Sequence, residues 1–231
     1  MSDPNLRLQL EAALNAAKTG DFSGLDAIVA AVAHEDGEVR IKAAYCCERI
    51  GFAAATDPLS RMAAGDPVSD NRNQAIYALA SIGRPAVVPP LIACLSDDDP
   101  ARRDDARTAL YRVLGEDALR QLADEDDEGA RDDGETARVT AWWDAQSARF
   151  DPARVYAFGQ LAGPAVFIAL LEAAAAALPD AYLDALSDWT GQDFGQTPPL
   201  SKVITKWSKW WAANSASFEP GRRYFYSHPV P

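Results

Sequence analysis

Four glycines set the frame for this chain. Gly20, Gly51, Gly83 and Gly115 follow one another at intervals of 31, 32 and 32 residues, each where an apolar stripe of helical spacing runs out. Ile50, Ile82 and Leu114 precede three of them, and Tyr45 and Tyr77 keep the same phase. Glycine just past the last residue is a common way to end a helix, because it adopts a left-handed backbone without a Cβ clash. Two helices per period of just over thirty residues is the pattern of an α-solenoid. Each helix pair buries its apolar face only against the next pair.

The elements between the glycines follow from the same logic. A helix is predicted from Pro4 to Lys18, with Leu6, Leu10 and Leu14 in phase. A second starts near Ser23 and faces inward with Leu25, Ile28, Val29 and Val32. Val39, Ala43, Cys46 and Ile50 form one stripe of a third. Further helices are predicted after Thr56, from Ser69 to Ile82, around Val87–Leu95, and from the acidic start Asp97-Asp98-Asp99-Pro100 to Leu114.

A second periodicity lies on top of the first. Trp142-Trp143…Phe150-Asp151-Pro152-Ala153-Arg154-Val155-Tyr156 returns as Trp210-Trp211…Phe218-Glu219-Pro220-Gly221-Arg222-Arg223-Tyr224, with nine of fifteen positions identical. Pro85-Ala86-Val87 is echoed by Pro164-Ala165-Val166, and Ala109-Leu110…Gly115 by Ala185-Leu186…Gly191. Residues 85–156 and 164–224 therefore read as two copies of a larger module: a helix pair, a loop, a Trp-bearing helix and an aromatic tail. The expected organisation is one domain over 1–231, with stacked pairs to 123, an acidic loop at 124–134, and Trp-rich helices with a C-terminal cap from 135. The tail from Phe218 to Pro231 is expected to be extended and packed on the last helices.

The turn pattern Asp36…Val39-Arg40…Ala43-Ala44…Ile50-Gly51 recurs loosely at Asp70…Arg72…Ala75…Ile82-Gly83 and again at Asp99-Pro100…Arg103…Ala106…Leu114-Gly115. It resembles HEAT-like repeats, in particular the short bacterial kind first named from phycobilisome lyases. The resemblance covers residues 20 to 123 and implies an all-α superhelix of armadillo type. It implies little about activity, because the architecture hosts many functions.

Composition narrows the function classes. The net charge of −12 disfavours binding to a phosphate backbone over most of the surface and favours a basic protein partner. Cys46, Cys47 and Cys94 read as small buried fillers in a reducing compartment. Met1-Ser2-Asp3-Pro4 has no signal-peptide character, and no apolar run is long enough to span a bilayer, so a cytoplasmic location is expected.

Each candidate site also has a plainer role. Trp207, Trp210 and Trp211 share one helical stripe, which ordinarily means core; the alternative is an aromatic cleft. On that alternative, a partner surface would comprise Trp142, Trp143, Arg154, Tyr156, Trp210, Trp211, Arg222 and Tyr224. Arg154 and Arg222 read first as internal partners of Asp151 and Glu219, and second as a clamp for a carboxylate or phosphate. Asp124 to Glu135 holds acids at positions 1, 3, 5, 9 and 12 of a twelve-residue loop with glycine at 6, close to a calcium loop. Glu128 and Arg131 depart from that pattern, and the plainer reading is a solvated connector carrying half of the net charge. His34 and His228 belong to no catalytic pattern, and no phosphate loop, nucleophile elbow or HExxH is present.

The resulting expectation is a non-enzymatic scaffold or adaptor, without cofactor, metal or catalytic residues, that offers a curved face to another protein. The alternatives are a phycobilin-lyase-like or DNA-glycosylase-like enzyme using an aromatic cleft, and a calcium-responsive adaptor acting through the 124–135 loop.

Overall fold

The computed structural model describes residues 4–122, 134–176, 179–195 and 199–231. The first half is a two-layer stack. Helices α1 (Pro4–Ala17), α3 (Gly37–Ile50), α5 (Ser69–Ile82) and α7 (Pro100–Leu114) pack side by side in that order. Behind them stand α2 (Leu25–Ala31), α4 (Thr56–Gly65) and α6 (Val88–Cys94), each against its partner in the first layer. Val39, Ala43, Cys46 and Ile50 are all fully buried, as their spacing requires. The three cysteines are free and buried, and burial pushes the Cys46 and Cys94 thiols up to about 11.

The recurring turn arginine has a physical role. Arg40 Nη1 donates to the carbonyls of His34 and Glu35, both at 2.9 Å. Arg72 reaches the Asp66 carbonyl, and Arg103 Nη1 reaches those of Asp97 and Asp98 at 2.9 and 3.3 Å. One arginine per repeat thus satisfies carbonyls left unpaired where the preceding helix ends. Asp36 and Asp99 cap the other side of the turn by accepting from Glu38 N and Ala101 N. Asp66 joins two repeats: it takes Arg40 through both oxygens, at 2.6 and 2.9 Å, and Asn71 besides. Burial alone would raise its pKa, but Arg40, Val68 N and Asn71 outweigh burial and hold it below the usual carboxylate range.

Helix α8 (Glu116–Leu122) follows Gly115 directly, and α9 (Glu135–Gln146) packs against α8 and α6. The sequence pattern did not announce α8. In the second half, α10 (Pro164–Ala176) packs on α11 (Pro179–Thr190) and α12 (Leu200–Asn214) around an aromatic core. Phe167 stacks on Trp211 there, with ring centres 4.1 Å apart and planes within 8°.

Between and after these helices the chain forms two short hairpins. Strand β1 (Tyr156–Ala157) pairs antiparallel with β2 (Gln160–Leu161), and β3 (Tyr224–Phe225) with β4 (His228–Pro229). Both central residues of each turn have positive φ: Phe158 and Gly159 in one, Tyr226 and Ser227 in the other. Such two-residue turns match the natural twist of a hairpin.

The tail departs from expectation in two ways. It is a hairpin rather than a simple extended strand. It rests on α11, as predicted for the last helices, but also reaches back to α3. Phe225 and Val230 belong to the core of the first half, and Lys18 sits over the Tyr226 ring. The reason is local: α3 and α5 end at glycines, and the space a side chain would fill there is taken by other parts of the chain. A Cβ on Gly83 would meet the Tyr156 carbonyl oxygen at 2.8 Å, and one on Gly51 would meet the Arg223 side chain at 2.5 Å.

Gly83→Ala combines a left-handed backbone with that contact and should cost at least about 1–3 kcal/mol in chemical denaturation. Gly65→Ala, at a helix end with open space around it, should be neutral or stabilising by up to about 1 kcal/mol. The Asp66 network supplies stability present near neutral pH and lost as pH falls through its lowered folded-state pKa. Asp66→Asn should therefore cost about 3 kcal/mol at pH 7 and progressively less below about pH 4 in the same assay.

Candidate functional site

The duplicated motif builds the same corner twice. Trp143 packs on Phe150 at 5.3 Å, and Phe150 on Tyr156 at 4.9 Å. Trp211 packs on Phe218 at 5.2 Å, and Phe218 on Tyr224 at 4.7 Å. The Tyr156 hydroxyl accepts from Asp151 N and the Tyr224 hydroxyl from Glu219 N, both at 2.8 Å. Each corner aims the chain into its hairpin. Each hairpin turn then docks on the end of a helix in its own module. Phe158 N and Gly159 N donate to Arg112 and Val113 carbonyls at 2.8 and 3.0 Å; Tyr226 N and Ser227 N donate to Asp188 and Trp189 carbonyls at 2.7 and 3.1 Å.

This settles where the sequence-predicted surface residues lie. Trp143, Tyr156, Trp211 and Tyr224 are buried, and Trp207 is almost fully enclosed. They belong to the core, where the aromatic rings pack on one another. Trp210 is half-buried against Phe167 and Trp207. Trp142, half-buried, lines an open groove of about 650 Å³ beside the first hairpin, together with Phe158 and Arg149. Arg154 and Arg222 are exposed and lie near Asp151 and Glu219, at 3.9 and 3.4 Å.

The remaining candidates lie elsewhere. Residues 124–133 of the acidic loop lie outside the described residues. Glu135, its twelfth position, is buried and holds Arg107 through both carboxylate oxygens at 2.7 and 2.8 Å. His34 Nδ1 accepts from Asp36 N within its own turn, and His228 lies against Gly20. Arg102 and Arg103, which could have begun a basic track, are buried in turn contacts. Among the described residues no group of three or more His, Cys, Asp or Glu is placed to hold a metal, and no helix is long and apolar enough to cross a membrane.

What the sequence did not point to is a cleft of about 330 Å³ where the two halves meet. The ends of α3, α5 and α7 form one side, and α10, α11 and the first hairpin form the other. Arg49 reaches across it to Asp188. Burial pushes Asp188 up, only partly offset by Arg49; burial also opposes the charge on Arg49, but Asp188 wins and raises its pKa. Arg223 donates through Nε to the Ile50 carbonyl at 3.1 Å and through Nη2 to that of Arg49 at 3.2 Å. Burial pushes this guanidinium down to about 10; Arg112 adds to the effect, while Asp188 and Glu48 oppose it. The one clue in the sequence was Arg222-Arg223, where the first copy of the motif reads Arg154-Val155.

Removing one corner hydroxyl leaves the Asp151 or Glu219 amide without its acceptor. Tyr156→Phe and Tyr224→Phe should each lower stability by about 0.5–1.5 kcal/mol in chemical denaturation. Arg49→Met strands the mostly buried Asp188 carboxylate and should cost more, about 3 kcal/mol at neutral pH.

Comparison with known families places this geometry. A family model of HEAT repeats matches residues 1–80, and one of the PBS lyase HEAT-like repeat matches residues 72–97. None of the curated proteins compared with the chain matches it.

Proposed function

We propose that this HEAT-repeat protein is a non-enzymatic scaffold that holds a basic segment of another protein on the layer formed by α3, α5 and α7. HEAT repeats commonly mediate contacts between proteins, and the stacked array offers a long surface for that use. One observation carries the choice of face and partner. Tyr77 stands half-buried among three carboxylates: it donates to Asp105 Oδ1 at 2.6 Å, and Glu48 and Asp104 lie near enough to act on it. Burial first, then Asp105 and the other two acids, push its pKa up to about 12. Gln74 donates to Glu48 at 2.6 Å, so Glu48 is held in place, as Asp105 is by Tyr77. Asp104 is exposed on the same helix turn.

An aromatic ring among fixed carboxylates suits a lysine or arginine side chain, which pairs with the acids and lays its stem or guanidinium on the ring. The arginines of the repeat turns are turned inward onto carbonyls and acids.

A photo-crosslinking residue at Asp104 should capture a basic partner, while the same residue at Thr205, exposed on α12, should not. Capture should weaken in high salt, since the contacts are surface charges, and be lost when Asp105→Lys is added to the crosslinking chain. Equal capture from both positions, or capture that survives charge reversal, would overturn the reading.

A further inference from the structure

The cleft between the two halves holds more guanidinium than the protein uses. Four arginines, Arg49, Arg112, Arg222 and Arg223, line it against three acids, Glu48, Asp184 and Asp188; Asp188 is taken by Arg49, and Glu48 accepts from Gln74. Arg223 gives Nε and Nη2 to backbone carbonyls, and among the described residues nothing accepts from Nη1. Arg112 also lines the cleft, and its side chain forms no hydrogen bond or ion pair with a described residue. The two guanidiniums are close enough for Arg112 to act on Arg223 as a like charge. The Arg112 backbone is fixed in the last turn of α7, where its carbonyl accepts from the first hairpin, and the Arg223 side chain is pinned to the end of α3.

The facing wall is apolar. Val166, Leu170 and Trp189, all buried in the second core, and Phe158 of the hairpin turn line it. The volume of about 330 Å³ lies at the small end of the range for pockets that hold small molecules, about 300–1,000 Å³. Convergent polar groups on one side and an apolar wall on the other are what such a pocket needs to orient a ligand. Planar guanidiniums match the two oxygens of a carboxylate or phosphate.

We propose that this cleft binds a small organic oxyanion, with its charged end between Arg112 and Arg223 and its apolar body against Val166, Leu170 and Trp189. The site is distinct from the face around Tyr77, although Glu48 borders both. The headgroup chemistry shared by carboxylates and phosphates is what the arginines select; neither is favoured by the geometry alone.

Calorimetry on the full chain at low salt with hexanoate, phenyl phosphate and hexanol tests this. Saturable binding of at least one anion, with hexanol at least tenfold weaker, is the expected result, and the anion preferred identifies the headgroup. Arg112→Gln should weaken that binding at least tenfold, and Arg112→Lys should restore part of it. In the unaltered protein, the Nε–H signals of Arg112 and Arg223 in nitrogen-resolved NMR should shift with the tighter anion, a readout that does not depend on any variant folding. Absence of binding by both anions, equal binding of hexanol, unchanged affinity in Arg112→Gln, or NMR shifts that spare both arginines would each overturn the proposal. Arg112→Gln should leave partner capture at Asp104 intact, and Asp104→Lys should leave anion binding intact, so the two proposals fail separately.

Discussion

The structure turns on a small set of backbone hydrogen bonds at helix ends. The last carbonyls of an α-helix have no partner within the helix. In α7 and α11 those carbonyls are taken by the turn amides of a β-hairpin: Phe158 and Gly159 on α7, Tyr226 and Ser227 on α11. Three of these four turn residues are not glycine yet have φ near +50 to +65°. A side-chain-bearing residue is disfavoured there, and the docking that fixes both amides is what offsets the strain. The aromatic corners, with a tyrosine hydroxyl on an amide five residues earlier, deliver each hairpin at the correct place.

From that contact the remaining architecture follows. The glycines that end α3, α5, α7 and α11 serve two purposes. They permit the left-handed stop, and they leave room for the hairpins to lie against the helix ends. The hairpins then tie the second half to the first: Tyr156 N on the Gly83 carbonyl, Arg223 on the end of α3, and Val155 N on the Gly221 carbonyl where the two copies of the motif meet. A stack that is free to grow at its end is thereby closed, because its C-terminal hairpin returns to the early repeats. The cleft lined by Arg49, Arg112, Arg223 and Asp188 exists only because of this return.

Charge is distributed by the same geometry. The chain carries twelve more acids than bases, and many of its arginines are directed inward. Arg40, Arg72, Arg102 and Arg103 hold the turns, Arg107 holds Glu135, and Arg49 holds Asp188. Acids such as Asp104 remain outside. The inward arginines of the turns and the arginine-bearing cleft are thus two consequences of one arrangement.

The amino-acid sequence by itself determined the repeat period, the stop glycines and nearly every helix of the first half, because these rest on local periodicity and local backbone preference. Val39, Ala43, Cys46 and Ile50 were legible as a buried stripe from spacing alone, and the stripe of Trp207, Trp210 and Trp211 read first as core. Helix α8 was not, since it starts without a break after Gly115 and has no counterpart among the described residues of the second copy. The duplicated motif was visible, but its hairpins were not: Phe158-Gly159 and Tyr226-Ser227 bear little likeness to each other, and their left-handed backbone is imposed by helix ends about 45 and 38 residues upstream in the chain. Only the tertiary structure decided that the tail returns to α3 and that Arg49 meets Asp188, 139 residues away, because such pairings depend on which surfaces remain unfilled after the helices have stacked.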